Sequence, residues 1–183
     1  MIPGLRYRAP HPGQRAMAIY PIRTFGDPVL RTAAADVTDD AASLRRLVDD
    51  MLETMYEAPG VGLAAPQIGI SKRIFVADIG EGPFVMVNPE IVEVSDSWTF
   101  DEGCLSVPGH YWPIKRPGYA KARGFDIDGN EVVFEGEELM GRVLQHEIDH
   151  LNGMLLLERL SRRAKKQALR DIREKSLGLA DRP

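Results

Sequence analysis

Two histidines four residues apart, His146 and His150, constrain the fold of this chain more than any other feature. On an α-helix, side chains at this spacing lie on one face with their Cβ atoms roughly 5–6 Å apart, so both imidazoles reach one metal ion. Together with Glu147 they form an HExxH motif, which is typical of metal-dependent hydrolases. The sequence therefore predicts a helix over about residues 137–152 that carries a metal site.

The rest of this predicted helix is amphipathic. Read at about 100° per residue, its apolar side chains form one arc beside the histidines, and only Glu147 interrupts that arc. Because a buried carboxylate is costly without a partner, the pattern favours a functional Glu147. Gln145 and Asp149 are expected to point away from the core. Arg142 lies on the other flank of the histidines. It is either a residue of the site or a solvent-exposed arginine of the helix.

The third metal ligand is expected upstream of the helix. The longer protease pattern HExxHxxGxxH needs a histidine at position 156, but the residue there is Leu156 and no histidine follows His150. The downstream glutamates are Glu158 and Glu174. The only thiol is Cys104, and a thiolate with two imidazoles leaves one tetrahedral position open, as in catalytic sites. A lone cysteine is more often a small buried hydrophobe, but the histidine pair favours a ligand here.

Three short blocks follow one another along the chain: GVGLAAPQIG at 60–69, EGCLS at 102–106 and QHEIDHLNG at 145–153. In this combination the chain resembles the peptide deformylase family, which is marked by GxGLAAxQxG, EGCLS and QHExDHLxG in that order. The resemblance extends over residues 22–169. It implies a hydrolase that removes the N-formyl group from the initiator methionine of newly made polypeptides and releases formate.

The resemblance also assigns roles to single residues. The implied metal ligands are Cys104, His146 and His150. They would bind one divalent ion, with Fe²⁺ as the physiological metal and Zn²⁺, Ni²⁺ or Co²⁺ as substitutes. Glu147 would move the proton, while the Gln67 side chain and the backbone N–H of Leu105 would stabilise the oxyanion. Taken alone, Gln67 would be interpreted as a loop-capping amide. The residues predicted to bind substrate are Val61, Gly62, Leu63, Gly103, Leu139, Arg142 and Val143.

Two other functions stay open at this point. The missing histidine at position 156 disfavours an HExxH metallopeptidase. A catalytically silent, ribosome-associated binding module is disfavoured because every position that the chemistry requires is filled. Arg142 stands where many relatives carry an apolar residue and Tyr111 where some carry a basic one, so both are expected to change side-chain preference. Glu102 is predicted to steady a metal ligand or a nearby arginine such as Arg116.

The order of strands and helices predicts an α+β fold. We expect a single compact domain whose mostly antiparallel sheet packs around the central HExxH helix, with an N-terminal helix and a C-terminal helix. The pattern favours a helix over 41–56, strands over 73–78 and 83–94, and a hairpin over 120–134 that turns at Asp128-Gly129-Asn130. Glycines in the 60–69 block leave the backbone open, so a substrate peptide could add there as a strand.

A final helix is predicted after Ser161. Its inward residues are expected to be Ala164, Ala168, Leu169 and Ile172. Arginines and lysines cover its outer face, which is either simply solvated or, as the resemblance implies, a contact with the ribosome near the exit of the nascent chain.

Size and charge set the remaining limits. A chain of 183 residues with 44% hydrophobic content fits one domain, and with a net charge of −4 the whole molecule is not a generic polyanion binder. We also expect no direct sequence-specific nucleic-acid binding. No apolar run approaches the ~18 residues of a membrane span. A free thiol needs a reducing compartment, which favours the cytoplasm. The predicted organisation is a flexible extension over 1–18, with an organelle-targeting segment as the alternative, a catalytic domain over 19–176 and a tail over 177–183.

Overall fold

The computed structural model describes Tyr7 and residues 18–177, which contain three α-helices and seven strands. In chain order these are α1 (Ala41–Glu57), β1 (Gly62–Ala64), β2 (Ile74–Ala77), β3 (Phe84–Ser95), β4 (Trp98–Gly103), β5 (Tyr111–Arg116), β6 (Tyr119–Phe125), β7 (Glu131–Glu137), α2 (Glu138–Leu151) and α3 (Arg162–Ser176). The predicted α+β fold is confirmed. Over the described residues, none of the helices combines the length and hydrophobicity that crossing a membrane would need.

The strands form one antiparallel sheet of five and a separate ribbon of two. The sheet order is β1-β2-β3-β6-β7, and β4 pairs with β5. The predicted hairpin is the β6–β7 pair, and its turn is closed by a hydrogen bond from Asp126 N–H to Asn130 O at 2.9 Å. Sequence reasoning did not predict the β4–β5 ribbon. In this arrangement β1 forms one edge of the large sheet.

Alternation along the strands separates the core into two layers, because successive side chains point to opposite faces of a sheet. Ile74 and Val76 of β2 pack in one cluster with the apolar face of α1, whereas Phe75 and Ala77 pack in another with α2. The two helices therefore cover opposite faces of the sheet. The Asp40 side chain caps α1 by accepting the Ser43 N–H at 3.0 Å.

A glycine brings α2 close to the sheet. A Cβ on Gly141 would lie 2.6 Å from the carbonyl oxygen of Gly136 and 3.0 Å from that of Gly118. Neither distance leaves room for a side chain, so the backbone of α2 rests directly on the start of β6 and the end of β7. This contact fixes the height of the HExxH helix above the sheet.

The last helix packs beside the β4–β5 ribbon. Ile172 of α3 contacts a cluster that contains Val107, Ile114 and Leu156. Ala168 is fully buried, but Leu169 is 37% exposed, so the prediction that Leu169 faces inward was wrong. It follows Ala168 by about 100° around the helix and cannot share its direction.

The chain ends lie mostly outside the described residues, and the predicted extension over 1–18 and tail over 177–183 are therefore not described as segments. Tyr7 is an exception. Its ring joins the cluster between α1 and the sheet, its N–H donates to Pro83 O at 2.9 Å, and its hydroxyl donates to Asp49 Oδ1 at 2.5 Å. Ala18 N–H donates to Asp50 Oδ1 at 2.9 Å. Tyr7 and Ala18 therefore contact neighbouring residues on the same turn of α1.

Candidate active site

Helix α2 and the end of β4 bring together the three sequence-predicted metal ligands. Cys104 Sγ lies 3.3 Å from His150 Nε2, which lies 3.2 Å from His146 Nε2. All three donor atoms are within 4.8 Å of one another. Metal bonds of 2.0–2.3 Å in a tetrahedron require ligand-to-ligand distances of about 3.3–3.7 Å, and the two distances that involve His150 are close to this range.

Glu102 orients the first of these histidines. Its Oε1 lies 2.6 Å from His146 Nδ1, which leaves Nε2 facing the other two donors. Arg116 donates to the same carboxylate through Nε at 3.0 Å and Nη2 at 2.7 Å, so the predicted contact between Glu102 and Arg116 is confirmed. Burial opposes the charge of Glu102, yet hydrogen bonds from His146 and Arg116 hold the pKa of this carboxyl well below its usual range.

Two residues of α2 that were expected to point away from the core are buried. Gln145 is 8% and Asp149 5% exposed. Gln145 Nε2 donates to Pro117 O at 3.0 Å, and Asp149 Oδ2 accepts from Arg116 Nη1 at 2.6 Å. Both partners lie at the end of β5, so the β4–β5 ribbon covers a helix face that the sequence pattern assigned to solvent.

Arg142 is not the solvent-exposed arginine of the alternative interpretation. It is 3% exposed and donates from Nη1 to Glu102 Oε2 at 3.1 Å and from Nη2 to Trp98 O at 3.0 Å. Its guanidinium also stacks over the Trp98 ring, 5.0 Å from the centroid. Arg142 therefore ties α2 to the ribbon behind the site.

Glu147 is buried beside the ligands. It is 3% exposed, and its Oε2 has no hydrogen-bond partner among the described residues. Burial raises the pKa of Glu147 to about 7, although the neighbouring His146 pulls it down. A carboxyl with a pKa near neutrality both accepts and returns a proton at physiological pH. A Cβ on Gly62 would come within 2.4 Å of Glu147 Oε1, so only glycine leaves room for this carboxylate.

Gln67 caps its own loop from the interior of the protein. It is 1% exposed, and its Oε1 accepts the Ala64 N–H at 2.8 Å. Because the carbonyl end is held by this backbone donor, the amide nitrogen faces the other way, 3.8 Å from Cys104 Sγ and 3.2 Å from Ser106 Oγ. The side chain thus holds its N–H donor towards the Cys104 thiol and the Ser106 hydroxyl.

A cleft of about 530 Å³ opens above these groups. Of the residues predicted to bind substrate, those that line it are Val61, Gly62, Gly103, Leu139, Arg142 and Val143. Leu63 is fully buried in the cluster under α1 and does not line it, because strand alternation turns it to the opposite side. Leu105 lines the cleft as well.

Sequence reasoning missed part of the cleft wall. Phe100 and Asp101 of β4 and His110 of the following loop line it, and Tyr111, noted only as a departure near the pocket mouth, joins them. The alternating apolar residues on either side of EGCLS were the available signal for this ribbon.

An α+β fold with a buried HExxH helix, a cysteine that follows a separate ribbon beside its histidines and a cleft above them is typical of a metal-dependent hydrolase. Comparisons with known proteins give its family. The sequence pattern of the family described as Polypeptide deformylase matches residues 19–166. The peptide deformylase of Agathobacter rectalis is 56% identical over 144 residues, covering 79% of this chain and 91% of that protein. That of Acidothermus cellulolyticus is 51% identical over 158 residues, covering 86% and 88%.

Solved structures agree. A peptide deformylase from Legionella pneumophila superposes with a TM-score of 0.83 at 42% identity, covering 91% of this chain and all of that one. One from Ehrlichia chaffeensis, in complex with actinonin, gives 0.81 at 39% identity, covering 87% and 98%. The chain belongs to the polypeptide deformylase family, and it is a hydrolase that removes the formyl group from newly made polypeptides. The metallopeptidase and silent-module alternatives are not favoured.

Proposed function

We propose that the cleft binds the formyl-methionyl end of a nascent chain and that Cys104, His146 and His150 hold one divalent metal ion, Fe²⁺ in the cell. The observation that carries this proposal is the set of three donor atoms within 4.8 Å of one another, beside a buried carboxylate. The ion would supply Lewis acidity, which activates water and polarises the formyl carbonyl. A thiolate with two imidazoles accepts several divalent transition metals, so the choice of iron rests on the family resemblance.

The free edge of β1 supports a strand-like position for the substrate. Asp78 N–H donates to Val61 O at 3.0 Å, and the Ala64 N–H is taken by Gln67. Since successive backbone groups alternate, the N–H and C=O of Gly62 face away from β2. A peptide that pairs with Gly62 would add a strand to the sheet and run along the cleft.

The methionine side chain would then enter the apolar part of the cleft. Leu139 and Val143 line it from α2, and Val61 lines it from the edge of the sheet. All three offer hydrocarbon surface of the kind that small-molecule pockets use, with polar groups confined to the reacting end.

Glu147 is the proposed proton carrier. It would take a proton from the attacking water while the water oxygen bonds to the formyl carbon. When the carbon–nitrogen bond breaks, the proton passes to the leaving amine, and formate and the free amino terminus are the products. Support comes from the burial of Glu147, its pKa of about 7 and its position between Gly62 and the ligands.

Gln67 Nε2 and the backbone N–H of Leu105 are the proposed donors to the oxygen that gains negative charge. Gln67 is held in one orientation by Ala64, so its donor is already in position before the charge develops. Leu105 follows the ligand Cys104 directly and lines the cleft.

We also propose a contact between α3 and the ribosome. Its exposed basic side chains are Arg162, Arg163, Lys166, Arg170, Arg173 and Lys175. A cluster of cations on one helix attracts the phosphates of RNA without reading a sequence. We place the enzyme in the cytoplasm, where a thiol such as Cys104 stays reduced, and its catalytic domain at 19–176.

Formate release tests the proposed substrate. Metal-loaded enzyme should release formate from formyl-Met-Ala-Ser and should act far more slowly on acetyl-Met-Ala-Ser, because the acetyl group adds a methyl to the carbonyl carbon that the activated water must attack. Mass spectrometry of the products should show an intact tripeptide with a free amino terminus. Comparable rates on both peptides, or cleavage at an internal peptide bond, would contradict the proposal.

A further inference from the structure

We propose that Arg159 is a positioning residue of the metal site and acts on His146 from a distance. The connection runs through Asp149, Arg116 and Glu102, each joined to the next by hydrogen bonds. It rests on the proposed role of His146 as a metal ligand.

The first contact is a two-pronged one. Arg159 donates from Nε to Asp149 Oδ2 at 3.0 Å and from Nη2 to Asp149 Oδ1 at 2.5 Å. Paired hydrogen bonds of this kind fix the plane of a carboxylate as well as its position. Arg159 ends a 3-10 turn, Leu156–Arg159, whose Leu156 and Leu157 are each 1% exposed, so its backbone is anchored in the core.

The second contact lies inside the protein, where Arg116 bridges Asp149 and Glu102. Asp149 Oδ2, held by Arg159, also accepts from Arg116 Nη1 at 2.6 Å. The other edge of the Arg116 guanidinium forms its own fork on Glu102, at 3.0 and 2.7 Å. Because a guanidinium is rigid and planar, the orientation of Asp149 is transmitted to Glu102.

The last contact reaches the ligand. Glu102 Oε1 lies 2.6 Å from His146 Nδ1, and a hydrogen bond from that ring nitrogen sets the direction of Nε2. Side-chain exposure falls from 39% at Arg159 to 7% at Asp149 and 1% at Arg116. A residue at the surface is thus linked to His146 through partners whose side chains are at most 7% exposed.

Charge alone does not explain the presence of Arg159. Glu102 and Asp149 carry two negative charges, and Arg116 and Arg142 already supply two positive ones. We therefore infer that Arg159 controls the orientation of the Asp149 carboxylate. Its two hydrogen bonds prevent this carboxylate from rotating away from Arg116. A lysine at this position would keep the charge but lose the fork.

Release of Co²⁺ tests this proposal without an activity assay. Protein loaded with Co²⁺ is mixed with excess chelator, and the loss of the thiolate-to-cobalt absorption band gives the release rate. Removal of a direct outer partner of a ligand typically weakens metal binding about 10–100-fold, and we expect about 3–10-fold faster release for Arg159→Met because it acts at greater distance. Arg159→Lys should behave like Arg159→Met. Arg123→Met, which removes an exposed arginine that pairs with Glu90 on the large sheet, is the control and should release at the parent's rate.

A double-mutant cycle checks the route. If Arg159 acts through Asp149, Arg159→Met should add less than about 2-fold to the release rate in an Asp149→Asn background. Thermal melts show that each variant is folded. Release at the parent's rate in Arg159→Met, recovery in Arg159→Lys, or effects that multiply in the double variant would each overturn the proposal. A parent protein without the thiolate-to-cobalt band would instead contradict the ligand assignment itself.

Discussion

At the scale of single residues, Glu147 occupies a position that a purely structural side chain would not favour. Its carboxylate is buried, and one oxygen is without a partner among the described residues. Glu147→Gln keeps the shape but removes the proton acceptor. We expect the variant to retain its metal and to lose roughly 10²–10⁴ in kcat. Metal analysis beside formate release measures both.

The control for this prediction is Cys104→Ala, which removes a proposed ligand and should lose the metal outright. If Glu147→Gln lost its metal to the same extent, Glu147 would be part of the metal-binding set and not a proton carrier.

Gly62 gives a second prediction at this scale. A Cβ at this position would lie 2.4 Å from Glu147 Oε1, so Gly62→Ala must push the carboxylate aside. A displacement of about 1 Å in a catalytic group can cost about 10²-fold in rate, and we expect a loss of that order in kcat. Gly118→Ala, whose nearest contact would be an ordinary 3.5 Å, is the matched control and should keep the parent's activity. Equal activity in both variants would show that Glu147 is free to move.

The sequence predicted the site residues largely because their spacing is local. His146, Glu147 and His150 lie within one turn and a half of helix, so their common face follows from helical geometry. The close approach of Gly62 to Glu147, across some 85 positions of sequence, had no local signal. This approach depends on how α2 packs against the sheet.

At the scale of secondary structure elements, periodicity predicted the three helices and the β6–β7 hairpin. It failed for Gln145 and Asp149 because a helical wheel defines only directions around one axis. The exposed or buried state of each direction depends on what covers it. The β4–β5 ribbon covers the Asp149 side of α2, and that ribbon was not predicted.

Arg116 of the ribbon donates to Asp149 of α2 and to Glu102 of β4, and it gives the prediction at this scale. Arg116→Met would leave Glu102 and Asp149 as buried carboxylates that have lost a principal partner. Breaking a buried pair from one side typically costs about 3–5 kcal/mol, and we expect a loss of this size in the free energy of unfolding. Urea denaturation measures it.

Lys115→Met is the control for this variant, since Lys115 is the exposed neighbour on the same strand. It should change the free energy of unfolding by less than about 0.5 kcal/mol, as surface substitutions usually do. A similarly small change in Arg116→Met would mean that α2 and the ribbon are held together by packing alone.

At the scale of the whole molecule, three separate parts of the chain converge on the cleft. The edge strand β1 offers free backbone, the ribbon supplies the thiolate, and α2 carries the histidines and Glu147. Their positions are fixed by the sheet, to which α2 is attached through Gly141. A metal ion bound by Cys104 and the two histidines would therefore also connect the β4–β5 ribbon to α2.

The identity of that ion is open to a direct test on the intact enzyme. A thiolate and two imidazoles accept Fe²⁺, Co²⁺, Ni²⁺ and Zn²⁺, and affinity alone favours the later metals of the series. The family resemblance nevertheless favours iron, and we expect protein loaded anaerobically with Fe²⁺, Co²⁺ or Ni²⁺ to be more active on formyl-Met peptides than the zinc form. Oxygen attacks ferrous iron and the adjacent Cys104 thiolate, so the iron form alone should lose activity in air. Activity followed over time, with and without oxygen, measures this. A zinc form that is the most active, beside an iron form that is indifferent to oxygen, would identify an ordinary zinc hydrolase.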